Sequence, residues 1–463
     1  MNLSIVILAA GLGTRMRSKH AKVLHRAGGL ALVEHVVGAA RELAAPERIV
    51  VVTGHQAEDV EALLRPQGVR FARQTEQKGT GHAMECCRSA AGANGLLMVL
   101  YGDTPLLSAE TLMRLRDAQV ESAGAATLIT TVLDDPTGYG RVIVDPQGNV
   151  NEIVEQKDCN AEQRAVNVIN SGIYCFRADV LWKHLSEVKP NPISGEYYLT
   201  DMARILRCHG QVVRALHIDD PTELLGINTR IELAEADTIL RMRKARELML
   251  SGVTIERPET VTIDPAVTCG QDTIIEPFVR LLGQTKIGDN CRIGTGAVLE
   301  STVVEDRVSI GPYTLVADSH IEAEASAGPF ARLRMGAHVG LKARIGNFVE
   351  LKKTHLGAGA KSQHLAYLGD AEIGAGTNIG AGTITCNYDG EKKHNTKIGK
   401  HAFIGSNATL VAPVEIASDS YIAAGSTITQ DVPEGALSLG RARQATKPGW
   451  VAKRRAKKKT EPA

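Results

Sequence analysis

The stretch IGKHAFIGSNATLVAPVEIASDSYIAAGSTI, residues 398–428, decides how the second half of the chain folds. Ile398, Ile404, Leu410, Ile416, Ile422 and Ile428 recur in steps of six without an error. An amphipathic helix repeats about every 3.6 residues and a half-buried strand about every two, so neither produces this period. A parallel β-helix does. Each hexapeptide makes one short strand and a corner, three close a triangular coil, and the aliphatic residue points inward. The small residues that follow let the chain turn tightly. Outward from this stretch the same phase returns at Ile287-Gly288, Ile293-Gly294 and Leu299-Glu300, at Ile310-Gly311 and Val316-Ala317, at Val339-Gly340 and Ile345-Gly346, and at Ile373-Gly374 and Ile379-Gly380. A β-sandwich would space its strands by roughly 8–12 residues with alternating polarity, and neither is seen.

The first half reads differently. Short apolar runs, Ser4 to Ala10, Arg48 to Thr53, Leu96 to Tyr101 and Ala125 to Val132, alternate with helix-like stretches such as Leu32 to Leu43 and Glu58 to Leu64. This is α/β layering around a mostly parallel sheet. Thr229 to Leu250 lacks Pro and Gly and is rich in Ala, Leu, Glu and Arg, which predicts a connecting helix ended by Gly252. The expected organisation is a domain over 1–228, a linker helix over 229–250, a β-helix over 251–445 and a basic tail over 446–463. A length of 463 residues exceeds what one core usually organises.

Charge and cysteines exclude several classes. With 53 Lys and Arg against 52 Asp and Glu, no general nucleic-acid or membrane-surface binding is expected. The eight cysteines are scattered without a repeated CxxC, which indicates neither a disulfide framework nor a zinc site and suits reduced thiols in a cytoplasm. The apolar stretch between Met1 and Met16 is too short for a membrane span and has no basic n-region, so no export signal is expected.

The run Leu8-Ala9-Ala10-Gly11-Leu12-Gly13-Thr14-Arg15-Met16 follows the first strand, where a βα turn presents backbone N–H groups to an anion. A dinucleotide fingerprint needs a glycine where Met16 stands, and a Walker loop needs Gly-Lys-Ser/Thr, so both readings fail. Arg15 and Lys22 beyond the loop suit a triphosphate, whereas a plain glycine turn needs no such cations. Tyr101-Gly102-Asp103 closes a buried strand at the sheet edge that holds ligands in open α/β folds. There Asp103 offers a hard oxygen to Mg²⁺, although a strand-end Asp is also a common helix cap.

The segments LAAGLGTRM, AKVLH, EQKGTGHAM, LYGDTPL, DDPTGYGRV, IVEQKD, NSGIY and GEYYLTD stand in the order found in bacterial sugar-nucleotide pyrophosphorylases. Together with the hexapeptide half, the chain resembles, over nearly its whole length, the bifunctional enzymes that join an N-acetylglucosamine-1-phosphate uridylyltransferase to a glucosamine-1-phosphate acetyltransferase. The resemblance implies a Rossmann-like nucleotidyltransferase domain followed by a left-handed β-helix. It implies that Leu8, Ala9, Ala10 and Gly11 meet the uridine and phosphates of UTP, that Arg15 and Lys22 stabilise phosphate charge, and that Gln74, Gly79 and Thr80 hold the uracil. Tyr101 and Gly102 would line the crevice, Gly140, Glu155 and Asn170 would contact the sugar, and Asp103 and Asn228 would hold Mg²⁺. Ala21 departs from the proline that the family commonly carries before the lysine.

Polar segments Arg332 to Arg334, Glu350 to Lys353, Gln363 to Gly369 and Thr385 to Thr396 interrupt the hexapeptide phase, which a bare scaffold would not need. His364 is the candidate general base, because imidazole titrates near working pH; a lone histidine is more often structural, but the repeat phase could bring Arg334, Lys352, Tyr367 and Asn378 to its coil edge. By resemblance, His364 accepts the substrate's proton, Glu350 orients its ring, Arg334 and Lys352 hold the phosphate of glucosamine 1-phosphate, and Tyr367, Asn378, Asn387 and Tyr388 contact the sugar and the pantetheine arm. Ala381, Ser406, Ala424 and Arg441 would line the acetyl-coenzyme A groove. The family implies a homotrimer whose acetyl-transfer site is built between subunits. Lys453 to Lys459, six basic residues in seven, reads first as a solvated, disordered end and second as an aid to coenzyme A phosphate binding. Two rivals stay open at this point: a monofunctional pyrophosphorylase with a regulatory or oligomerising β-helix, and an interaction scaffold.

Overall fold

The computed structural model describes residues 2–460. The chain divides into two compact units, one ending at Lys244 and the other beginning at Ala245.

In the first unit, strands β1 (Leu3–Ala9), β2 (Ile49–Thr53), β3 (Arg70–Arg73), β4 (Leu96–Tyr101), β5 (Ala126–Val132), β6 (Arg141–Val144), β7 (Val150–Val154), β8 (Val168–Arg177) and β9 (Val213–His217) form one sheet. Its main path runs β9-β5-β8-β4-β1-β2-β3, with β6 on β8 and β7 on β6. Its main path is mostly parallel. β8 lies antiparallel between β4 and β5, and β6 and β7 pair antiparallel beside it. Successive residues of β1 are buried on opposite faces, Val6 and Leu8 in one apolar layer and Ile5 and Ile7 in the other. Helix α1 (Leu32–Arg41) covers the second layer with Val33, Val36 and Val37, and α2 (Thr80–Ala91) the first with Ala83, Met84 and Cys87. Coverage on both sides explains why these strands read as continuous apolar runs.

The long helix α3 (Arg230–Leu250) occupies the stretch expected to be a connecting helix. Leu233, Ala236, Ile239 and Leu240 pack with Ala27, Leu32, Leu106 and Ile227, so its first turns belong to the first unit. Ala245 and Leu248 belong to the core of the second.

The second unit is a hexapeptide β-helix of the left-handed type, built from three parallel sheets of 11, 10 and 9 short strands. Each strand pairs with the third one on, so inward residues stack in columns. One column runs Ile275, Ile293, Ile310, Ala327, Ile345, Ser362, Ile379, Ile404 and Ile422; another runs Leu281, Leu299, Val316, Leu333, Leu351 and Leu368. All are buried, and each large aliphatic contributes about 1.5–3 kcal/mol on leaving water.

The columns show why the six-residue phase seemed to break. The steps from Leu299 to Val304, Val316 to Ile321, Leu351 to Leu356 and Leu368 to Ile373 are each one residue short, and Ala327, Ser362 and Thr385 take inward places normally aliphatic. Three of the four supposed interruptions are therefore regular coil, with Leu333, Leu351 and Leu368 pointing inward among polar neighbours. The fourth leaves the coil: Thr385 pairs with Leu410, and a loop beginning at Asn387 is closed by the Tyr388 and Lys393 bridge.

At the corners the small residue after the inward aliphatic is required, since a Cβ on Gly288, Gly294 or Gly380 would strike the next coil, but the left-handed position two residues later is not reserved for glycine. Many corners carry non-glycine residues in the left-handed region, among them Asn290, Arg307, Tyr313, Phe330, Phe348 and Leu365. Such a residue costs about 1–2 kcal/mol relative to ordinary backbone. At one corner the cost is met by ring contact, with Phe330 stacked between Tyr313 and Phe348 at 5.4 Å on each side.

The basic tail forms a helix, Trp450–Thr460, with the Arg454 guanidinium over the Trp450 ring, and does not match the disordered reading. Residues 451–457 are exposed as that reading held, while residues 461–463 lie outside the described residues. All eight cysteines are free thiols, and burial pushes Cys87 and Cys175 up to about 12. Among the described residues no helix is long and apolar enough to cross a membrane.

Truncating one inward residue tests the column. Leu299→Ala is expected to cost about 2–5 kcal/mol in urea unfolding of the second unit. An unchanged midpoint would contradict the inward placement.

Candidate active sites

At the C-terminal edge of β1 the chain turns through Gly13, whose φ of 60° and whose approach to Lys22 both exclude a side chain; a Cβ there would lie 2.5 Å from that of Lys22. Gly11 faces open space. Leu8, Ala9, Ala10, Gly11, Lys22, Gln74, Gly79, Thr80, Tyr101 and Asp103 line one cavity of about 460 Å³. Thr80, Tyr101 and Asp103 also line an adjoining cavity of about 290 Å³, with Gly140, Glu155 and Asn170. The residues singled out for nucleotide and for sugar therefore fall into two connected compartments. Gly102 sits between them, its N–H donating to the Leu8 carbonyl at 2.9 Å.

Two separate segments meet at Lys22. Its ammonium contacts the Asp103 carboxylate and donates to Asn228 Oδ1 at 3.0 Å, while Arg15 donates to the same oxygen at 2.8 Å. Asp103 and Asn228 share one cationic nitrogen, so both oxygens lie within reach of a single cation. Hard oxygen donors beside a nucleotide-sized cavity fit a divalent metal.

Gln74 is buried and donates to the Gly79 carbonyl at 3.0 Å and to His82 Nδ1 at 3.1 Å, which ties the loop before α2 to β3. Gly79, at φ 98°, lies against the Tyr197 backbone, where a Cβ would be 2.5 Å from the carbonyl oxygen. Thr80 Oγ1 accepts from Leu199 N–H at 2.9 Å, and Thr200 donates to Glu155 at 3.2 Å. The GEYYLTD segment thus walls the site. Glu196 and Tyr198 line the first cavity and Tyr198 and Thr200 the second, residues to which the sequence reading gave no role although it quoted their motif. Burial raises the Glu155 carboxyl and the Tyr101 phenol above their ordinary ranges.

Ala21 occupies extended backbone, φ −54° and ψ 139°, that a proline could adopt. Its buried N–H instead donates to Gln56 Oε1 at 2.5 Å, a bond proline cannot make. Gln56 therefore holds the turn that carries Lys22, and nothing in the local sequence pointed to it.

The second set lies on the outer surface of the β-helix. Asn347 and His364 are register partners, and His364 Nδ1 donates to Asn347 Oδ1 at 2.9 Å. An amide oxygen only accepts, so Nδ1 carries a hydrogen, and in the neutral ring Nε2 is the nitrogen left to accept. Asn347, which sequence reasoning missed, thus orients the ring in place of Glu350. Glu350 accepts instead from Arg334 Nε at 2.7 Å. Arg334, Lys352 and Gly369 follow one another on one face, and Lys352 is buried against Asp370 at 3.1 Å. Asp370 also accepts from Asn387, so this unforeseen carboxylate joins two of the expected residues. Tyr367 and Asn387 both crowd Gly369, where a Cβ would strike each. Tyr388 is 60% exposed at the base of the loop. Asn378 lies one coil from Lys361, on the face that carries His364.

From His364 a corner column climbs the coil. The Ser362 and Ile379 pairing sets His364 level with Ala381. Ala381 accepts from Asn407 N–H at 2.7 Å, Ser406 from Gly425 N–H at 2.8 Å, and Ala424 from Arg441 at 2.9 Å. The four residues expected to line a coenzyme groove therefore share one edge.

Comparison with known proteins agrees with both halves. Residues 5–147 match the model of the MobA-like NTP transferase domain, and residues 266–301 and 395–430 that of the bacterial transferase hexapeptide (six repeats). The bifunctional protein GlmU of Solibacter usitatus is 59% identical over 459 residues, covering 99% of this chain and 98% of that protein. Those of Koribacter versatilis and Anaeromyxobacter sp. strain Fw109-5 are 48% and 51% identical, each covering 98% of this chain and 98% and 93% of their own. The chain belongs to the bifunctional GlmU family. Like these GlmU proteins it is a transferase with a nucleotidyltransferase and a hexapeptide acyltransferase domain, which removes the scaffold and single-activity alternatives.

Gln56→Ala leaves the Ala21 N–H buried and unpaired and is expected to cost about 1–3 kcal/mol in unfolding of the first unit. Adding Ala21→Pro removes that donor and should recover most of the loss; failure to recover would show that Gln56 acts elsewhere.

Proposed function

We propose that the chain makes UDP-N-acetylglucosamine in two steps, acetyl transfer from acetyl-coenzyme A to glucosamine 1-phosphate and then uridylyl transfer from UTP to the product. The observation that carries this reading is the coexistence, in one chain, of a nucleotide-sized crevice at a sheet edge and a histidine held through Nδ1 by Asn347 on a hexapeptide coil.

In the first unit a sugar phosphate oxygen attacks the α-phosphorus of UTP, the bond to the bridging oxygen breaks, and diphosphate leaves. The barrier is the approach of two polyanions, so positioning and positive charge outweigh acid–base chemistry. Leu8 to Gly11 and Gln74, Gly79 and Thr80 hold the nucleotide, Gly140, Glu155 and Asn170 the sugar, and Arg15 and Lys22 the phosphates. Asp103 and Asn228 are the ligands for Mg²⁺, which when bound neutralises phosphate charge. Lys22, now between these two oxygens, then turns to the phosphates.

In the second unit His364 Nε2 accepts a proton from the substrate ammonium. The amine nitrogen attacks the thioester carbonyl, the C–S bond breaks, and the coenzyme leaves as its thiol after its sulfur takes the second proton shed by the new amide nitrogen. Arg334 and Lys352 hold the sugar phosphate, and Tyr367, Asn378, Asn387 and Tyr388 the sugar and pantetheine arm. The coenzyme follows the Ala381, Ser406, Ala424 and Arg441 edge, and the basic terminal helix meets its phosphates. The exposure of His364 and Tyr388 supports a homotrimer in which a neighbouring subunit covers this surface. The charge balance and free thiols support a cytoplasmic enzyme without nucleic-acid or membrane partners.

Incubation with glucosamine 1-phosphate, acetyl-coenzyme A, UTP and Mg²⁺, each omitted in turn, tests the sequence; product is expected only in the complete mixture. Lys22→Ala or Asp103→Ala should slow uridylyl transfer at least tenfold, a loss of about 1.4 kcal/mol or more. His364→Ala should remove most acetyl transfer and leave uridylyl transfer intact. Equal loss of both activities would contradict two separate sites.

A further inference from the structure

On the first unit, away from both cavities, two imidazoles share one carboxylate. His184 Nδ1 and Glu187 Oε1 are 2.6 Å apart, and His209 Nε2 and Glu187 Oε2 are 2.9 Å apart. The two rings lie in contact, with centroids 4.1 Å apart at an interplanar angle of 34°. One donor atom from each residue falls within 4.8 Å of the other two. The His184 side chain is 7% exposed, against 44% for His209 and 45% for Glu187, so the cluster has a buried wall and an open mouth.

We propose that His184, Glu187 and His209 form a binding site for a zinc-class transition metal, distinct from the Asp103 and Asn228 pair. Two imidazole nitrogens and one carboxylate oxygen make the three-protein-ligand set of an open tetrahedral zinc site, whose fourth position water fills on the exposed side. Metal–ligand bonds of about 2.0–2.1 Å place tetrahedral ligand atoms roughly 3.3 Å apart. The three ligand atoms, within 4.8 Å of one another here, therefore need to shift relative to each other by about 1.5 Å or less. Each ring shifts its proton to its other nitrogen, so a lone pair faces the ion and no proton need be lost. Imidazole donors disfavour magnesium, which separates this site from that of the nucleotide reaction. The two imidazoles already hold the Glu187 carboxyl below its usual range, His209 first and His184 second, which keeps the oxygen ligand ionised.

The location gives the ion a consequence. His184 ends the helix Ala178–His184, Glu187 ends the following turn, and His209 directly follows the helix Asp201–Cys208. The three ligands thus bracket residues 188–208, the segment whose Tyr197 backbone, Leu199 N–H and Tyr198 form a wall of the nucleotide crevice. A bound ion clasps the two ends of that segment.

Zinc titration of the full chain by calorimetry, in excess magnesium, tests the site. The natural sequence should bind one more equivalent of zinc than His209→Ala or Glu187→Gln, both substitutions at half-exposed positions. Zinc should raise the melting temperature of the natural chain more than that of either variant. Cobalt loading should give a visible spectrum of a tetrahedral nitrogen and oxygen site that His209→Ala abolishes. Equal zinc stoichiometry in all three proteins would overturn the proposal, and so would a cobalt spectrum dominated by thiolate charge transfer from the neighbouring exposed Cys208.

Discussion

Register in the β-helix is the constraint on which the rest of the second unit depends. Once Leu333, Leu351 and Leu368 stack inward, the outward residues between them have no freedom of level: Arg334 must sit beside Lys352, and Glu350 beside Tyr367. The same holds at the next corner, where Asn347 must lie under His364. A shift of one residue would turn every inward side chain to solvent, so the apolar column specifies the polar site as strictly as it specifies the fold. The site needs no dedicated scaffold of its own. It is the outer face of a core whose geometry is already determined.

In the first unit the corresponding constraint is electrostatic. Asp103 closes β4, Lys22 follows the glycine turn after β1, and Asn228 precedes α3, so three distant segments contribute to one small polar cluster. Lys22 satisfies the two oxygens here, and Arg15 reinforces one of them. In the proposed reaction a polyphosphate and its metal would replace these partners like for like, oxygen ligands keeping a cation and cations gaining phosphate oxygens. The Gln56 bond to Ala21 matters because it fixes the turn that delivers the lysine.

Much of this was legible in the sequence, for physical reasons that differ by element. The run from Ile398 to Ile428 announced its fold because nothing but a hexapeptide coil repeats at six. The polar segments near Arg332 and Glu350 looked like breaks because coils of seventeen residues shift the phase while leaving the inward leucine in place. The small residues read directly after each inward aliphatic are required, because a Cβ on Gly288 or Gly294 would strike the next coil; what was not legible is the left-handed position two residues on, where stacked rings at Tyr313, Phe330 and Phe348 make large residues tolerable. Residues named through motifs, such as Gln74, Thr80 and Asp103, converge as expected on one crevice. Those that act through others were invisible. Asn347, Asp370 and Gln56 carry no motif, and only the register or the turn brings each to its partner.

A crystal structure of the chain with UTP, Mn²⁺ and acetyl-coenzyme A, read through the anomalous signal of manganese, tests the account most directly. The account predicts a manganese peak coordinated by Asp103 and Asn228, and the coenzyme laid along the Ala381, Ser406 and Ala424 edge with its thioester beside His364 Nε2. Manganese away from that oxygen pair, or a thioester remote from His364, would contradict it.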